Sequence, residues 1–332
     1  MAMVLSRSGQ ANGTGDQNTL FLKQFAGETL SVFEEANVMM GLHTVRSISS
    51  GKSAQFPATK TATAHYHTPG ESLITDQDAA SADYLSNIKH NEIVVTINDL
   101  LTSSCFVSNL DEAKNHYDVR AEYTRQMGFA LAIEADKTLI NYGVVGARAT
   151  TDRFGGTDYL GSKIDIAASA APTGAELVAG IVDAAQKLDE NDVPENDRFC
   201  VMTPANYYKM IEENKDAINR DYGNDGNGSL ASGVVLSVAG IRIFKSNHLP
   251  TADYTPPAGD LGSVSGSQAF DGTNTEPQAL VFHRSALATV KLLDLAVETD
   301  YLVERQGTIM VAKYAMGHEI LRNEALVSLE AG

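Results

Sequence analysis

The most constraining feature of the sequence is an uninterrupted helical pattern from Asn109 to Tyr142. It contains no proline, and its roughly 34 residues would form a rod about 50 Å long, at about 1.5 Å per residue. Asn109, followed three positions later by Glu112, matches a capping box, and Gly143 is typical of the position after a helix C-terminus. The sequence therefore predicts one helix from Asn109 to Tyr142, which is either an amphipathic core helix or a spine joining two lobes.

The apolar residues of this helix recur at helical spacing, which predicts a packed side and a charged side. The apolar positions are Leu110, Ala113, Tyr117, Ala121, Met127, Leu131, Ala135 and Leu139. The charged positions, which fall mostly elsewhere, are Glu112, Arg120, Glu122, Arg125 and Glu134.

The overall charge argues against a protein that binds nucleic acid through its phosphates. The chain of 332 residues has a net charge of -17, with 25 Lys and Arg against 42 Asp and Glu, whereas phosphate binding depends on clustered basic side chains. Cys105 and Cys200 lie far apart in apolar surroundings, which predicts two buried thiols in a reducing cytoplasm. The N-terminus has no stretch typical of a signal peptide, and no segment reaches the length and hydropathy of a membrane span, so we expect no membrane partner.

Before the long helix, the chain has three sections of different composition. The first, 1–16, is rich in Gly, Ser, Asn and Thr and predicts a mobile tail, and apolar residues from Asn18 to Val38 predict one or two amphipathic helical pieces. Two extended stretches then surround a polar excursion at 60–87, and the second of them alternates apolar residues in HNEIVVTI. A two-stranded arm cannot make its own core, so we expect it to lie on a neighbouring subunit.

After the long helix, helix and strand patterns alternate and predict a compact α/β or α+β lobe. Thr173 with Glu176 forms a capping box, and Pro204 suits the first turn of a second helix. The intervening strands are RFCVM and GIRIFKS. The segments QALVFHR, ATVKLLDLAVE and GTIMVAKYAMG then predict further strands, for which the long helix is the obvious support.

Motifs for chemistry are weak throughout the chain. The SSGKS run at 49–53 lacks the glycine of a phosphate-binding loop, since Arg46 stands in its place, and no helix follows. The DYGNDGNGS run at 221–229 departs from a calcium loop at two ligand positions, and His65 and His67 have no third ligand at a readable spacing. The residues therefore predict no catalytic, cofactor or metal site.

Four stretches carry a resemblance to a known family. They are VRSISSGKSAQFP at 45–57, NHYDVRAEYTRQMG at 115–128, FHRSALATVKLLDLAVE at 282–298 and AKYAMGHEILRNEA at 312–325. In order and spacing they resemble the major capsid protein of short-tailed double-stranded DNA phages of the T-seven podovirus group. The resemblance covers most of the chain and is weakest in the first fifteen or so residues and between Val144 and Pro277.

The resemblance implies the α+β capsid fold first described for phage Hong Kong 97. Its parts would be an N-terminal arm at 1–42, an extended β-loop at 43–98, a peripheral domain at 99–165 with the spine helix at 109–142, an axial domain at 166–284, and returning peripheral strands at 285–332. Such a protein does no catalysis and needs no cofactor. It assembles in the host bacterial cytoplasm with scaffolding protein into pentamers and hexamers of a procapsid, which expands as DNA is packaged through a portal to give the virion capsid.

Contacts between subunits are then expected between the extended loop and the charged side of the spine. The candidates are Arg46, Lys52, Phe56 and Glu92 on the loop, and Glu112, Asp118, Arg120, Glu122, Arg125 and Glu134 on the spine. Two other classes stay open: an encapsulin-like nanocompartment shell of the same fold, and an enzyme that uses the α/β lobe. Isopeptide cross-linking, used by one branch of the fold, is not supported by the placement of lysine and asparagine.

Overall fold

The computed structural model describes residues 37–62, 64, 66–67, 69–70, 88–97, 100–110, 119–167, 171–213, 237–249 and 276–331. The predicted tail, most of the predicted arm at Asn18–Val38, most of the excursion at 60–87 and the calcium-like run at 221–229 lie outside these residues.

The described chain mixes helices and strands, as the α+β prediction requires. In chain order the elements are β1 Thr44–Ser47, β2 Ser53–Thr59, β3 His90–Thr96, β4 Leu101–Ser108, α1 Val119–Ala147, β5 Ser162–Ala167, α2 Gly174–Glu190, β6 Arg198–Met202, α3 Pro204–Glu213, β7 Ser237–Val238, β8 Ile241–Lys245, β9 Glu276–His283, β10 Leu287–Leu302, β11 Gly307–Ile320 and β12 Leu326–Ala331. Short 3₁₀ turns lie at Met39–Gly41, Val303–Arg305 and Asn323–Ala325.

The strands form a four-stranded sheet, a six-stranded sheet and a separate two-stranded ladder. The four-stranded sheet has the order β1-β10-β11-β4, in which β1 runs parallel to β10 and the other pairs are antiparallel. The six-stranded sheet has the order β5-β12-β9-β6-β8-β7. Helix α2 buries Ile181, Ala184 and Leu188 in the core that contains this larger sheet.

Helix α1 packs against both sheets and is therefore a spine. In its first half, Met127 and Leu131 pack with Met310 and Tyr314 of the four-stranded sheet. In its second half the helix joins the other core, where Leu139 is fully buried with residues of the six-stranded sheet. From Ala135 to Ala147 nearly every residue is buried, so the predicted division into a packed and a charged side holds only for the first half.

The predicted end of the spine at Tyr142 is wrong, because the helix continues through Gly143 to Ala147. Gly143 is not a cap: a Cβ there would lie 2.5 Å from Leu280 Cδ2, so the glycine lets the helix approach the six-stranded sheet closely. Gly146 does the same against Leu326 Cδ1, also at 2.5 Å. At the other end, Glu112 and the rest of 111–118 lie outside the described residues, so the predicted capping box at Asn109 stays a prediction.

The residues predicted as returning peripheral strands, 285–332, divide between the two sheets. Strands β10 and β11 do lie in the four-stranded sheet, but β12 crosses over and pairs with β5 and β9 in the middle of the six-stranded sheet. All six residues of β12 are buried. A short strand that is buried on both faces lacks the alternation that would have marked it in the sequence.

Several local predictions are confirmed. Thr173 and Glu176 form a complete capping box at the start of α2, and Pro204 is the first residue of α3. Cys200 is fully buried, and burial raises the pKa of its thiol to about 12, whereas Cys105 is only half-buried. No helix among the described residues is long and apolar enough to cross a bilayer.

Candidate functional site: the extended β arm and its supports

The predicted two-stranded arm is present as an antiparallel ladder of β2 and β3. Its register runs from Ser53 opposite Thr96 at one end to Thr59 opposite His90 at the other. The predicted first stretch is not one strand, however, because β1 belongs to the four-stranded sheet and a turn at Gly51, with φ of 108°, separates it from β2. The arm therefore begins at Ser53, about ten residues later than predicted.

One end of the ladder, which we call the arm base, packs on the four-stranded sheet. Ala54, Val95 and Ile97 are buried against Val290 and Ala315. The alternation seen in the sequence is thus real at this end of β3, where apolar side chains find a surface to cover.

Gly317 of β11 allows the arm base to come this close. A Cβ at this position would overlap the carbonyl oxygen of Thr96, which is a backbone atom that cannot move aside as a side chain can. The smaller sheet and the arm are therefore in direct backbone contact at this glycine.

Replacing Gly317 with alanine should lower the free energy of unfolding by about 1–3 kcal/mol, because the new methyl group overpacks the arm base. Thermal unfolding would measure the loss. Gly41→Ala is the matched control, since a Cβ at Gly41 meets nothing within 4 Å. Equal melting temperatures for the two variants would contradict the proposed contact.

The other end of the ladder contacts residues 152–159, which we call the cradle loop. Lys60 forms an ion pair with Asp158, and the hydroxyl groups of Thr61 and Tyr159 lie 2.8 Å apart. From the opposite strand, Asn91 donates its side-chain amide to the Arg153 carbonyl oxygen. Both strands of the arm are therefore attached to the same loop.

Asp152 organises the cradle loop from within. Its buried carboxylate accepts hydrogen bonds from the backbone N–H groups of Phe154 at 2.8 Å, Gly156 at 2.7 Å, Asp158 at 3.2 Å and Tyr159 at 3.3 Å. Burial alone would raise the pKa of Asp152, but these four donors favour the charged form and lower its pKa overall. The loop is thus pre-formed around one carboxylate.

Arg153 ties the cradle loop to the turn before β12. Its Nη1 donates to Glu324 Oε2 at 2.8 Å and to the Leu321 carbonyl oxygen at 3.3 Å. The guanidinium carbon lies 5.2 Å from the Phe154 ring centre and 5.3 Å from that of Tyr159. The loop that contacts the arm is therefore fixed to the part of the chain that leads into the six-stranded sheet.

Asp152→Ala should open the cradle loop locally, because four backbone donors would lose their shared acceptor. We expect hydrogen exchange at the four donor amides to accelerate by at least about tenfold, which corresponds to about 1.4 kcal/mol. Asp152→Asn, which keeps one acceptor oxygen, should give a smaller acceleration. Unchanged exchange in the alanine variant would show that the carboxylate does not hold the loop.

A buried chain of hydrogen bonds fixes the segment that precedes β1. The Asp136 carboxylate of the spine accepts from the backbone N–H groups of Val38 at 2.7 Å and Met39 at 3.1 Å. The Met39 carbonyl oxygen lies 2.7 Å from His43 Nδ1, and because a carbonyl can only accept, Nδ1 carries the proton. This segment is therefore held to the spine by polar contacts away from water.

The same chain continues into the four-stranded sheet. His43 Nε2 lies 2.5 Å from Thr289 Oγ1, which in turn lies 2.8 Å from His318 Nδ1. With Nδ1 of His43 protonated, its Nε2 accepts from the Thr289 hydroxyl, and that hydroxyl accepts from His318. Burial lowers the pKa of His43, and burial followed by the nearby His43 lowers that of His318 to about 3. Both rings are neutral in this arrangement.

The residues expected at subunit contacts are partly occupied within the described chain. Arg46 lies 5.7 Å from the Phe56 ring centre, and Phe56 packs beside the arm base. Lys52, directly before the arm, and Glu92 on the arm are both exposed.

On the spine, Glu122 accepts from Gln126 Nε2 at 3.0 Å and lies 4.0 Å from Arg125 Nη1, and Glu134 is half-buried. Glu112 and Asp118 lie outside the described residues, and the Arg120 side chain is among those left undescribed. The expected role of these residues between subunits stays a prediction.

Sequence reasoning missed the cradle loop altogether. The signal that could have found it is the run DRFGGTDY at 152–159, because an aspartate followed by a Gly-Gly pair is typical of a side-chain-capped turn. Its partners Lys60 and Asn91 are far away in sequence and could not be found by spacing. Among the described residues, no group of three or more His, Cys, Asp or Glu side chains is arranged to hold a metal ion.

Most residues of the arm, the spine and the two sheets fall within one sequence profile. The sequence profile of Gp10A-like major capsid proteins covers residues 55–330, which include nearly the whole arm, the spine and all strands of the two sheets except β1. The chain belongs to the Gp10A-like major capsid protein family. It is thus a structural subunit of a phage capsid shell.

Individual relatives agree with the family. This capsid protein is 36% identical to the major capsid protein of Escherichia phage T7, across 94% of this chain and 91% of that protein. It is 34% identical to the major capsid protein of Enterobacteria phage T3, across 96% and 94% of the two chains. The resemblance to short-tailed phages of the T-seven group is therefore confirmed.

Solved capsids confirm the Hong Kong 97 fold. The capsid structure of cyanophage P-SCSP1u matches with a TM-score of 0.77 and 39% identity over 99% of both chains. The mature capsid of bacteriophage PhiM1 has the same fold, with a TM-score of 0.73 and 22% identity over 99% of this chain and 97% of that one. These matches favour a phage capsid over an encapsulin-like compartment or an α/β enzyme.

Proposed function

We propose that this capsid protein forms pentamers and hexamers that close into an icosahedral shell around packaged double-stranded DNA. The observation that carries the proposal is the arm: a two-stranded ladder with exposed residues along both strands and a core only at its base. Such a ladder is marginal alone and gains stability when it lies on a second subunit. Many modest contacts of this kind then add through effective concentration.

Scaffolding protein and a portal are proposed as partners during assembly in the host bacterial cytoplasm. The protein does no catalysis in this proposal, since shell formation needs only contacts. The net charge of -17 supports a shell that encloses DNA without binding its sequence. No membrane takes part.

The two sheets suggest revised boundaries for the proposed domains. The four-stranded sheet with the first half of α1 would be the peripheral domain. The six-stranded sheet, which includes β5 from Ser162 and β12 from Leu326, would be the axial domain. The spine would then belong to both, because its buried second half lies in the core of the larger sheet.

For the contacts between subunits, Arg46 of β1 and Lys52, which directly precedes the arm, are proposed to meet acidic side chains on a neighbouring spine. Charge complementarity would set their register more than their affinity. The proposed acceptors are Glu112, Asp118, Glu122 and Glu134, with Phe56, Glu92, Arg120 and Arg125 as further contact residues.

The proposed function is tested by electron microscopy. The protein is expressed alone and together with the scaffolding protein of its phage, and the products of both are imaged. We expect closed shells of uniform diameter when both are present. Particles from the native source should contain double-stranded DNA, whereas a nanocompartment would contain protein cargo. Failure to form closed shells under both conditions would overturn the proposal.

A further inference from the structure

We infer that the cradle loop sets the direction in which the extended arm leaves the subunit, so that Asp158 and Tyr159 are positioning residues for shell closure. The inference rests on the proposed function, since it assumes that the arm reaches a neighbour. The cradle loop would orient the arm within one subunit before the arm contacts a neighbour.

The arm is held at two separate points. The arm base covers the four-stranded sheet through Val95 and Ile97, while Lys60, Thr61 and Asn91 contact the cradle loop at the other end of the ladder. Thr59 lies six residues beyond Ser53 along the ladder, a length of about 20 Å at about 3.3 Å per residue. A ladder held only at a small apolar base can swing, whereas a second attachment about 20 Å away fixes its direction.

The two points at which the arm is held belong to different parts of the subunit. The arm base lies on the smaller sheet, but the cradle loop is fixed to the turn before β12 by the ion pair of Arg153 with Glu324. The direction of the arm is therefore set relative to both sheets.

The contacts between the arm and the cradle loop are suited to setting the direction of the arm and contribute little to the stability of the subunit. The side chains of Lys60 and Asp158 are 30% and 59% exposed, and exposed ion pairs contribute little to the free energy of unfolding. The cradle loop, in contrast, is pre-formed around the buried carboxylate of Asp152. Weak contacts on a rigid support bias an orientation without adding measurably to the stability of the fold.

A fixed direction matters because a shell closes only when each subunit meets its neighbours at repeated angles. An arm that swings about its base would present its contact surface over a range of angles. Assembly would then give shells of mixed size or open sheets, although every subunit is folded.

The test begins with the free subunit and uses reversal of the ion pair. Spin labels at Glu92→Cys on the arm and Asp183→Cys on α2, both exposed positions, report the distance between arm and body by pulsed electron resonance in a Cys105→Ser background. We expect a narrow distance distribution without further changes and a broader one in Lys60→Asp and in Asp158→Lys. The double exchange should restore the narrow distribution.

Two further variants separate direction from general damage. Tyr159→Phe removes the hydroxyl that contacts Thr61 and should broaden the distribution slightly. Lys187→Asp disrupts an equally exposed ion pair with Glu190 on α2 and should leave the distribution unchanged. Melting temperatures of all four single variants should stay within about 2 °C of the parent chain, as exposed pairs predict.

The same variants without labels are then co-expressed with the scaffolding protein and their shells are sized. Lys60→Asp should give mixed diameters, and the double exchange should restore uniform shells. Narrow distances in both single reversals would overturn the inference, and so would uniform shells from a chain whose arm distances have broadened. If the unmodified chain forms no shells, the proposed function fails, while the distance measurement still decides whether the cradle loop directs the arm.

Discussion

Arg148→Ala should lower the free energy of unfolding by about 3 kcal/mol, because it leaves the buried carboxylate of Glu330 with one cationic partner instead of two. Glu330 is fully buried on β12, and its Oε1 lies 2.5 Å from Arg148 Nε. Lys163 Nζ lies 3.0 Å from Glu330 Oε2, and the Ser328 hydroxyl donates to Glu330 Oε1 at 3.1 Å. Urea unfolding of the free subunit would measure the loss.

A double variant separates the buried charge from the packing of the arginine. In Arg148→Ala with Glu330→Gln no carboxylate remains to be compensated, so the two losses should not add. We expect the double variant to be destabilised less than the sum of the two single variants by at least about 1 kcal/mol. A cost below about 1 kcal/mol for Arg148→Ala alone would show that Lys163 suffices to stabilise the buried charge.

Lowering the pH from 7 to 5 should destabilise the subunit by about 2 kcal/mol through His318 alone. The pKa of this ring is about 3 in the folded protein, against 6.5 for an ordinary histidine. The unfolded chain therefore binds the proton first, and stability falls as the pH decreases below 6.5 until the ring itself is protonated near pH 3. His43, whose pKa is also lowered, should add to the loss in the same direction.

The loss from His318 follows from the burial of its ring and from the nearby His43. A proton on His43 Nε2 would turn that nitrogen from an acceptor into a donor, so the Thr289 hydroxyl could no longer donate to it. Among the charged neighbours of His43, Asp136 favours this proton, whereas Lys291 and Arg284 oppose it. Burial, acting in the same direction as Lys291 and Arg284, outweighs Asp136 and the hydrogen bond to the Met39 carbonyl, so the pKa of His43 is lowered.

His318→Gln is the variant that isolates this effect. It removes the titrating ring, so the free energy of unfolding should depend less steeply on pH between 6.5 and 5 than in the parent chain. The lowered pKa of Asp152 keeps that carboxylate ionised across this range, so it does not contribute to the slope. Equal slopes in the two proteins would show that the buried histidine does not control acid stability.

Part of this molecule was predictable because its signals are local in sequence. The long helix, the capping box at Thr173, the proline at the start of α3 and the alternating pattern of β3 each depend on residues within a few positions of one another. Four stretches in register also carried the resemblance to a capsid family, and with it the fold and the role in a shell.

The sequence by itself thus determined the long helix, the helices α2 and α3 and the strand pattern of β3, since periodicity and capping act over one or two turns. Only the tertiary structure decided how these segments meet. Gly143 resembles a helix end but lets the spine pass close to Leu280, and β12 leaves its neighbours in sequence to enter the larger sheet. The support of the arm joins Lys60 to Asp158, 98 residues apart. Such contacts depend on the packing of whole sheets, and no spacing along the chain encodes them.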